Sequence, residues 1–232
     1  MSRGLLRLQR LPRRLAFVAG WLWAFAVLVG GEVQAGEQQY EPLADSIRTA
    51  LARSVGARGD ARAAFSSARE RLDWLTQMSR RLPARSQPSV RERIAFLEVL
   101  RYEAQRAGLD PQLVLAVVQV ESNFRRYAIS HAGARGYMQV MPFWTRLIGN
   151  GDPATLFDMR ANLRFGCTIL RHYLDLERGN LFRALARYNG SLGQGAYPQA
   201  VWRAWQRWKW APSPESGPRA RTQDRVVIAD GR

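Results

Sequence analysis

Residues 110–121 of the chain read DPQLVLAVVQVE, and this stretch decides the fold class. Asp110 is a residue of the N-capping type, and Pro111 suits the first turn of a helix. The run from Leu113 to Val120 is apolar almost all round, which predicts a helix that is buried on every side. The stretch therefore predicts the central helix of a globular domain.

Glu121 stands where this apolar helix ends. Burial disfavours the charged form of its carboxyl group, and so does the negative end of the helix dipole. A carboxylic acid that stays neutral near neutral pH can serve as a general acid. The alternative is that Glu121 is the first polar residue after a core helix and pairs with Arg125 or Arg126. Spacing alone favours this alternative.

The segments on both sides of the central helix also have helical patterns, and no run alternates convincingly as a strand. Ser89 and Glu92 have the spacing of a capping box, and Gly108 ends the helix that they begin. Further helices are predicted over 41–57, from a cap at Asp60 to Leu82, over Asp158–Leu176 and Asn180–Tyr188, and around Trp202, Trp205, Trp208 and Trp210. The chain is therefore predicted to be all-α.

Composition shifts divide the chain into four parts. Residues 1–35 have the features of an export signal, 36–88 form a helical arm with a proline-containing linker, 89–210 form the main domain, and 211–232 form a disordered tail. The arm covers the main domain or a partner. The tryptophans near residue 210 pack on the domain in the plainest interpretation; sugar stacking, membrane contact and nucleic-acid binding are the alternatives.

Three motifs carry a resemblance to a known family. They are Glu121-Ser122, then the run from Ser130 to Pro142 (SHAGARGYMQVMP), then Ala186-Arg187-Tyr188-Asn189. In this order and spacing they closely resemble the catalytic domain of the soluble-type lytic transglycosylases, relatives of goose-type lysozyme. The resemblance covers roughly residues 90–205 and implies a lysozyme-like, all-α domain.

The resemblance implies that Glu121 is the catalytic acid and base. It implies cleavage of the β-1,4 bond between N-acetylmuramic acid and N-acetylglucosamine in peptidoglycan, leaving 1,6-anhydro-muramic ends. It also implies substrate-binding roles for Ser130, Met138, Gln139, Tyr188 and Asn189. The Tyr188 hydroxyl is expected to reach the catalytic carboxyl. Tyr137 stands where an aliphatic residue is usual in the family, which suggests an added ring for stacking a sugar.

The N-terminus predicts export. Five arginines and no acid fall within residues 1–14, an uncharged apolar run follows over 15–31, and Val33-Gln34-Ala35 fits a signal-peptidase site. We expect cleavage after Ala35 and a periplasmic protein. The alternative is a signal retained as an inner-membrane anchor.

Composition limits the other functions. The chain has 232 residues, a formal net charge of +16 and one cysteine, Cys167, which excludes a disulfide framework and a thiolate zinc cluster. We expect no metal and no cofactor. Because the basic residues are scattered and the chain is exported, we expect glycan strands of peptidoglycan rather than nucleic acid as partner, and a monomer.

Two competing functions stay open. One is a muramidase that uses water as the nucleophile. The other is a non-catalytic wall-binding module of a secretion or conjugation apparatus; a transient contact with such an apparatus or with a membrane is also compatible with the sequence.

Overall fold

The computed structural model describes residues 38–57, 59–84, 86 and 89–211. The predicted export signal lies outside these residues, and so does the predicted tail apart from Ala211. The described part contains eight α-helices: α1 (Asp45–Gly56), α2 (Ala68–Arg81), α3 (Val90–Arg106), α4 (Pro111–Ser122), α5 (Phe143–Ile148), α6 (Met159–Leu176), α7 (Leu181–Asn189) and α8 (Ala196–Trp208). Only isolated β-bridges occur within these ranges, so the all-α prediction is confirmed.

Helix α4 is the central element, as its sequence predicts. Its residues from Leu113 to Val118 are all buried, and it packs mainly against α8 and α3. Asp110 caps it by accepting a hydrogen bond from the backbone N–H of Gln112 at 2.8 Å. The chain enters α4 from α3, whose capping box between Ser89 and Glu92 is present, through Gly108 at φ +65°.

The N-terminal arm packs directly on the rest of the molecule. Helix α2 lies on α3, α1 lies against α5 and α6, and Trp74 and Met78 of α2 are fully buried in the common hydrophobic core. The predicted cap at Asp60 is wrong: a short 3-10 turn (Ala61–Ala64) follows it, and α2 begins after Ser67, which accepts a hydrogen bond from Glu70 N–H.

Helix α8 closes the other side of α4. Trp208 is buried, and its Nε1 donates to Gln119 Oε1 at 2.7 Å, while Trp205 Nε1 donates to Asp110 Oδ2 at 2.7 Å. These two indoles pack as the plainest interpretation expected, whereas Trp202 is 41 % exposed. The short helix α5 was not predicted from the sequence.

Two further expectations concern burial and membranes. Cys167 is a free, buried cysteine. None of the helices in the described ranges combines the length and the apolar character needed to cross a bilayer.

Candidate active site

Glu121 occupies the last turn of α4 and is 8 % exposed. The turn that follows keeps the carboxyl there: Asn123 and Phe124 both adopt left-handed backbone angles, at φ 48° and 62°. Such angles are uncommon for residues other than glycine and reverse the chain sharply. The Ser122 hydroxyl donates to the Tyr137 carbonyl at 2.8 Å and thereby ties the end of α4 to the loop beside it.

The surroundings keep the Glu121 carboxyl neutral at neutral pH. Burial raises the pKa of Glu121 from its ordinary 4.5 to about 8, and the hydrogen bond from Tyr197 partly opposes this rise. The alternative pairing with an arginine is not found, because Arg125 Nε donates to the Ser122 carbonyl and Arg126 Nε to the Phe157 carbonyl. A neutral, buried carboxylic acid is able to donate a proton to a leaving group.

Tyr197 is the hydrogen-bond partner of Glu121, and sequence reasoning missed it. Its hydroxyl donates to Glu121 Oε1 at 2.6 Å. The resemblance placed the Tyr188 hydroxyl at this carboxyl; in the structure that hydroxyl donates instead to the Met138 carbonyl at 2.7 Å. The charge of Glu121 still contributes to the strongly raised pKa of Tyr188, after burial as the main cause, so the two groups are close.

The sequence does carry a weak signal for Tyr197. It begins the buried stripe of α8 that continues with Val201, Ala204 and Trp208. This spacing predicts a residue directed toward the core. Nothing in the pattern indicates which of the buried carboxyl groups such a tyrosine would meet, because the two residues lie 76 positions apart.

The loop from Ala128 to Val140 forms the second side of the site. Ser130 stabilises its first turn: its hydroxyl accepts from Ala134 N–H at 3.1 Å, and its carbonyl accepts from Gly133 N–H at 2.9 Å. Gly136, at φ +76°, lies where the loop passes very close to Asn162 of α6 and to the Leu156 carbonyl. A Cβ there would stand 2.3 Å from Asn162 Nδ2 and 2.5 Å from the Leu156 carbonyl oxygen, which only glycine avoids.

Asn162 of α6 holds this loop in position. Its Oδ1 accepts from Met138 N–H at 2.8 Å, and its Nδ2 donates to the Arg135 carbonyl at 2.8 Å and to the Leu156 carbonyl at 2.9 Å. The side chain is buried, and all three of these contacts are made to backbone atoms. One residue therefore fixes the backbone of Met138, to which the Tyr188 hydroxyl is bonded.

The remaining predicted site residues lie inside the protein. Met138 is fully buried and packs against Gly166 of α6. Gln139 is buried at φ 47°, and its Nε2 donates to the carbonyls of Ala128 and Gly136. Asn189 ends α7 and is also buried. The structure thus gathers Glu121, Tyr197, Tyr188 and the Met138 backbone, and the side chains of Ser130 and Gln139 brace the loop.

Tyr137 differs from its sequence interpretation. Its ring is 2 % exposed and packs on Phe96, with 4.8 Å between the ring centroids. So little of the ring faces solvent that a sugar has no surface on which to stack. Within the described ranges no three histidine, cysteine, aspartate or glutamate side chains form a cluster able to hold a metal ion.

Comparison with known proteins agrees with this geometry. The family model of the transglycosylase SLT domain matches residues 98–207, which include every residue of the site. This part of the chain therefore resembles a transglycosylase SLT domain. The lysozyme-like, all-α architecture that the motifs implied is confirmed for the SLT domain.

Curated relatives are similar to part of the chain. The membrane-bound lytic murein transglycosylase C of Haemophilus influenzae (strain PittEE) is 35 % identical over 113 residues, which cover 42 % of this chain and 32 % of the relative. The protein of the same name from Histophilus somni (strain 2336) is 38 % identical over 113 residues, covering 42 % and 31 %. The chain thus spans about a third of the length of these relatives.

Proposed function

We propose that the chain is a peptidoglycan lytic transglycosylase with Glu121 as its acid and base. The observation that carries the proposal is the buried Glu121 carboxyl, which is neutral at neutral pH and accepts a hydrogen bond from Tyr197. The SLT domain and the names of its relatives support the same activity. The substrate is the β-1,4 bond between N-acetylmuramic acid and N-acetylglucosamine.

In the first step Glu121 donates its proton to the glycosidic oxygen. The bond from this oxygen to C1 of the muramic residue breaks, and the glucosamine end leaves with a hydroxyl group. The Glu121 carboxylate then takes the proton of the muramic C6 hydroxyl as that oxygen bonds to C1. The carboxyl group is restored, and no water enters the product. The C6 hydroxyl is already attached to the substrate, which gives it a large effective concentration.

The distribution of the other acidic residues favours this route over hydrolysis. A hydrolysing glycosidase ordinarily needs a second carboxylate about 5–10 Å from the first. The acids between Glu121 and Ala211, where the described part of the chain ends, have other partners: Asp152 and Asp158 cap helical turns, Asp175 pairs with Arg171, and Glu177 pairs with Arg183 and Arg187. In the described part of the chain, no charged neighbour contributes to the pKa of Glu121.

The proposed function includes the location and state of the protein. We infer an exported, periplasmic monomer that acts on glycan strands without metal or cofactor. The export signal predicted over residues 1–35 supports this location, and the relatives are named membrane-bound enzymes. Retention of that signal as an inner-membrane anchor is the alternative placement.

Digestion of purified sacculi tests the proposal. Mass spectrometry of the products should show 1,6-anhydro-muramic ends, lighter than hydrolysed ends by one water, and EDTA should leave the rate unchanged. Glu121→Gln should lower the turnover by about 10²–10⁴-fold, because it removes the transferable proton. Glu98→Gln, which removes a carboxylate from the α3 surface pair with Arg71, is the matched control and should keep its activity.

Three results would contradict the proposal. Reducing muramic ends as the main product would identify a muramidase instead. A Glu121→Gln variant that keeps more than about a tenth of the activity would remove Glu121 from the mechanism. Binding to sacculi without any cleavage would indicate a wall-binding module.

A further inference from the structure

The segment Gln38–Glu41 lies along the rim of the candidate active site. The Gln38 side chain is buried, and its Oε1 accepts from Met141 N–H at 3.3 Å, just after the loop that holds Met138. The Tyr40 ring meets the Phe143 ring edge-on, with 5.7 Å between centroids. A non-helical piece of the chain's own peptide therefore occupies a strip beside the site.

The far end of this strip is a carboxylate contact. Glu41 Oε1 accepts from Arg187 Nη1 at 2.9 Å. Arg187 directly precedes Tyr188 in α7, and its Nε is bonded to Glu177, which raises the pKa of Arg187 and fixes the direction of the guanidinium. One edge of the guanidinium is thus held within the domain, and the other edge is presented to a carboxylate that comes from outside it.

The Gln38–Glu41 segment is held only weakly in this position. The Glu41 side chain is 46 % exposed and that of Arg187 is 22 % exposed, and such pairs contribute little to stability. The Gln38 Nε2 atom is buried and has no hydrogen-bond partner within the described ranges, which leaves a buried donor unsatisfied. A cavity of about 180 Å³ adjoins the pair, bounded by Arg187, Gly190 and Leu192. It has room for a carboxylate and part of a peptide.

We propose that Arg187 binds a carboxylate of the peptide that the glycan strand carries, and that Glu41 occupies this place until the substrate arrives. The proposal rests on the proposed function and specifies its substrate as peptide-bearing strands. The chemistry of the site matches this ligand: the strip already holds a peptide segment through a backbone N–H, an aromatic ring and a guanidinium. Stem peptides of the wall carry carboxylates, and such a carboxylate can replace Glu41 while the Arg187 guanidinium stays paired and the exposed Glu41 side chain returns to solvent.

The experiment compares two substrates that differ only in their peptides. One is glycan strands with intact stem peptides, and the other is the same strands after removal of the peptides by an amidase. Glu41→Gln should raise kcat/KM on peptide-bearing strands by about two- to fivefold, since a surface ion pair of this kind is worth up to ~1 kcal/mol. The same variant should leave kcat/KM on stripped strands unchanged. Asp45→Asn, which removes another exposed carboxylate near the start of α1, is the matched control and should change neither rate.

A second variant and a binding measurement complete the test. Arg187→Gln should lower kcat/KM on peptide-bearing strands to the value for stripped strands. The affinity of free stem peptide, followed by NMR titration, should rise in Glu41→Gln and fall in Arg187→Gln.

An equal rise on both substrates with Glu41→Gln, or no rise on either, would overturn the assignment of Arg187. If the wild type makes no anhydro ends, the proposed function fails instead. The peptide titration then still decides whether Arg187 binds the carboxylate.

Discussion

Burial and the hydrogen bond from Tyr197 act in opposite directions on the pKa of the Glu121 carboxyl. Burial favours the neutral acid, and the hydrogen bond from Tyr197 favours the carboxylate, so the pKa rises to about 8 rather than further. The active form is the acid. Activity should therefore be present below this pKa and fall about tenfold per pH unit above it, which a pH profile of kcat/KM measures.

Tyr197→Phe tests the origin of this balance. The variant loses the hydrogen bond that stabilises the carboxylate, so the pKa of Glu121 should rise. The falling limb of the pH profile of kcat/KM should then move to higher pH by about one unit. Tyr102→Phe on α3 is the control and should leave the limb in place. A limb that moves to lower pH in Tyr197→Phe would contradict the direction assigned to this hydrogen bond.

The same raised pKa predicts a pH-dependent cost in stability. An acid with a higher pKa in the folded than in the unfolded state stabilises the fold below about pH 4.5, and this contribution is lost as the pH rises toward about 8. Glu121→Gln cannot ionise, so at pH 7 it should be more stable than wild type by roughly 3 kcal/mol, and equal to it near pH 4. Urea denaturation at the two pH values measures the difference, and a difference independent of pH would contradict it.

At the scale of residues, the sequence predicts what depends on local order and misses what depends on distant contacts. The position of Glu121 at the end of an apolar helix predicts a raised pKa, and burial is the main cause of the rise, although spacing alone left pairing with an arginine as the favoured alternative. The Tyr197 contact depends on the packing of α8 against α4, which no local pattern specifies. Local patterns likewise do not specify the partner of Tyr188, whose hydroxyl donates to the Met138 carbonyl.

At the scale of elements, two glycines of the loop from Ala128 to Val140 can be compared. Substitution at one tests the cost of a left-handed backbone alone, and substitution at the other tests that cost together with a steric clash. Both Gly133 and Gly136 have positive φ, but a Cβ meets nothing within 4 Å at Gly133 and collides with Asn162 and Leu156 at Gly136. Gly133→Ala should cost about 1–2 kcal/mol, the cost of the left-handed backbone alone. Gly136→Ala should cost clearly more, because it also displaces Asn162 from its three hydrogen bonds.

Activity distinguishes the two variants as well. Gly136→Ala should lower kcat, since Asn162 fixes the backbone of Met138, whereas Gly133→Ala should retain kcat. Thermal unfolding and sacculus digestion on both variants provide the comparison. Equal losses of stability would show that backbone strain, and not the close approach to α6, explains the glycine at 136.

Helix boundaries were predicted best where a capping residue directly precedes apolar residues at helical spacing. Ser89 with Glu92, Asp110 with Pro111, and Asp158 each begin a helix as predicted. The start of α2 was missed because Asp60 and Ser67 are both capping residues, and only the packing of Trp74 and Met78 selects the later one. Leu72 of α2 is 68 % exposed and lies off the buried face that Trp74, Leu75 and Met78 form.

At the scale of the whole molecule, a buried ion cluster joins the arm to the SLT domain. Glu103 of α3 is fully buried and pairs with Arg106 and with Arg164 of α6, each at 2.9 Å. The two arginines also donate to the last turn of α1, at the carbonyls of Ser54 and Val55. The sequence gives no indication of this cluster, because Arg164 and the α1 carbonyls lie far from Glu103 along the chain and no member belongs to a motif.

Glu103→Ala should therefore loosen the arm before it affects the site. The variant leaves the buried Arg164 and the partly buried Arg106 without their carboxylate and should cost about 3–5 kcal/mol. Because both arginines hold the C-terminal turn of α1, amide exchange should accelerate in α1 more than in α8. Glu98→Gln, whose partner Arg71 has a side chain that is 40 % exposed, should cost at most about 1 kcal/mol. Equal acceleration of exchange in α1 and α8 would mean that Glu103 stabilises the fold as a whole and does not specifically anchor the arm.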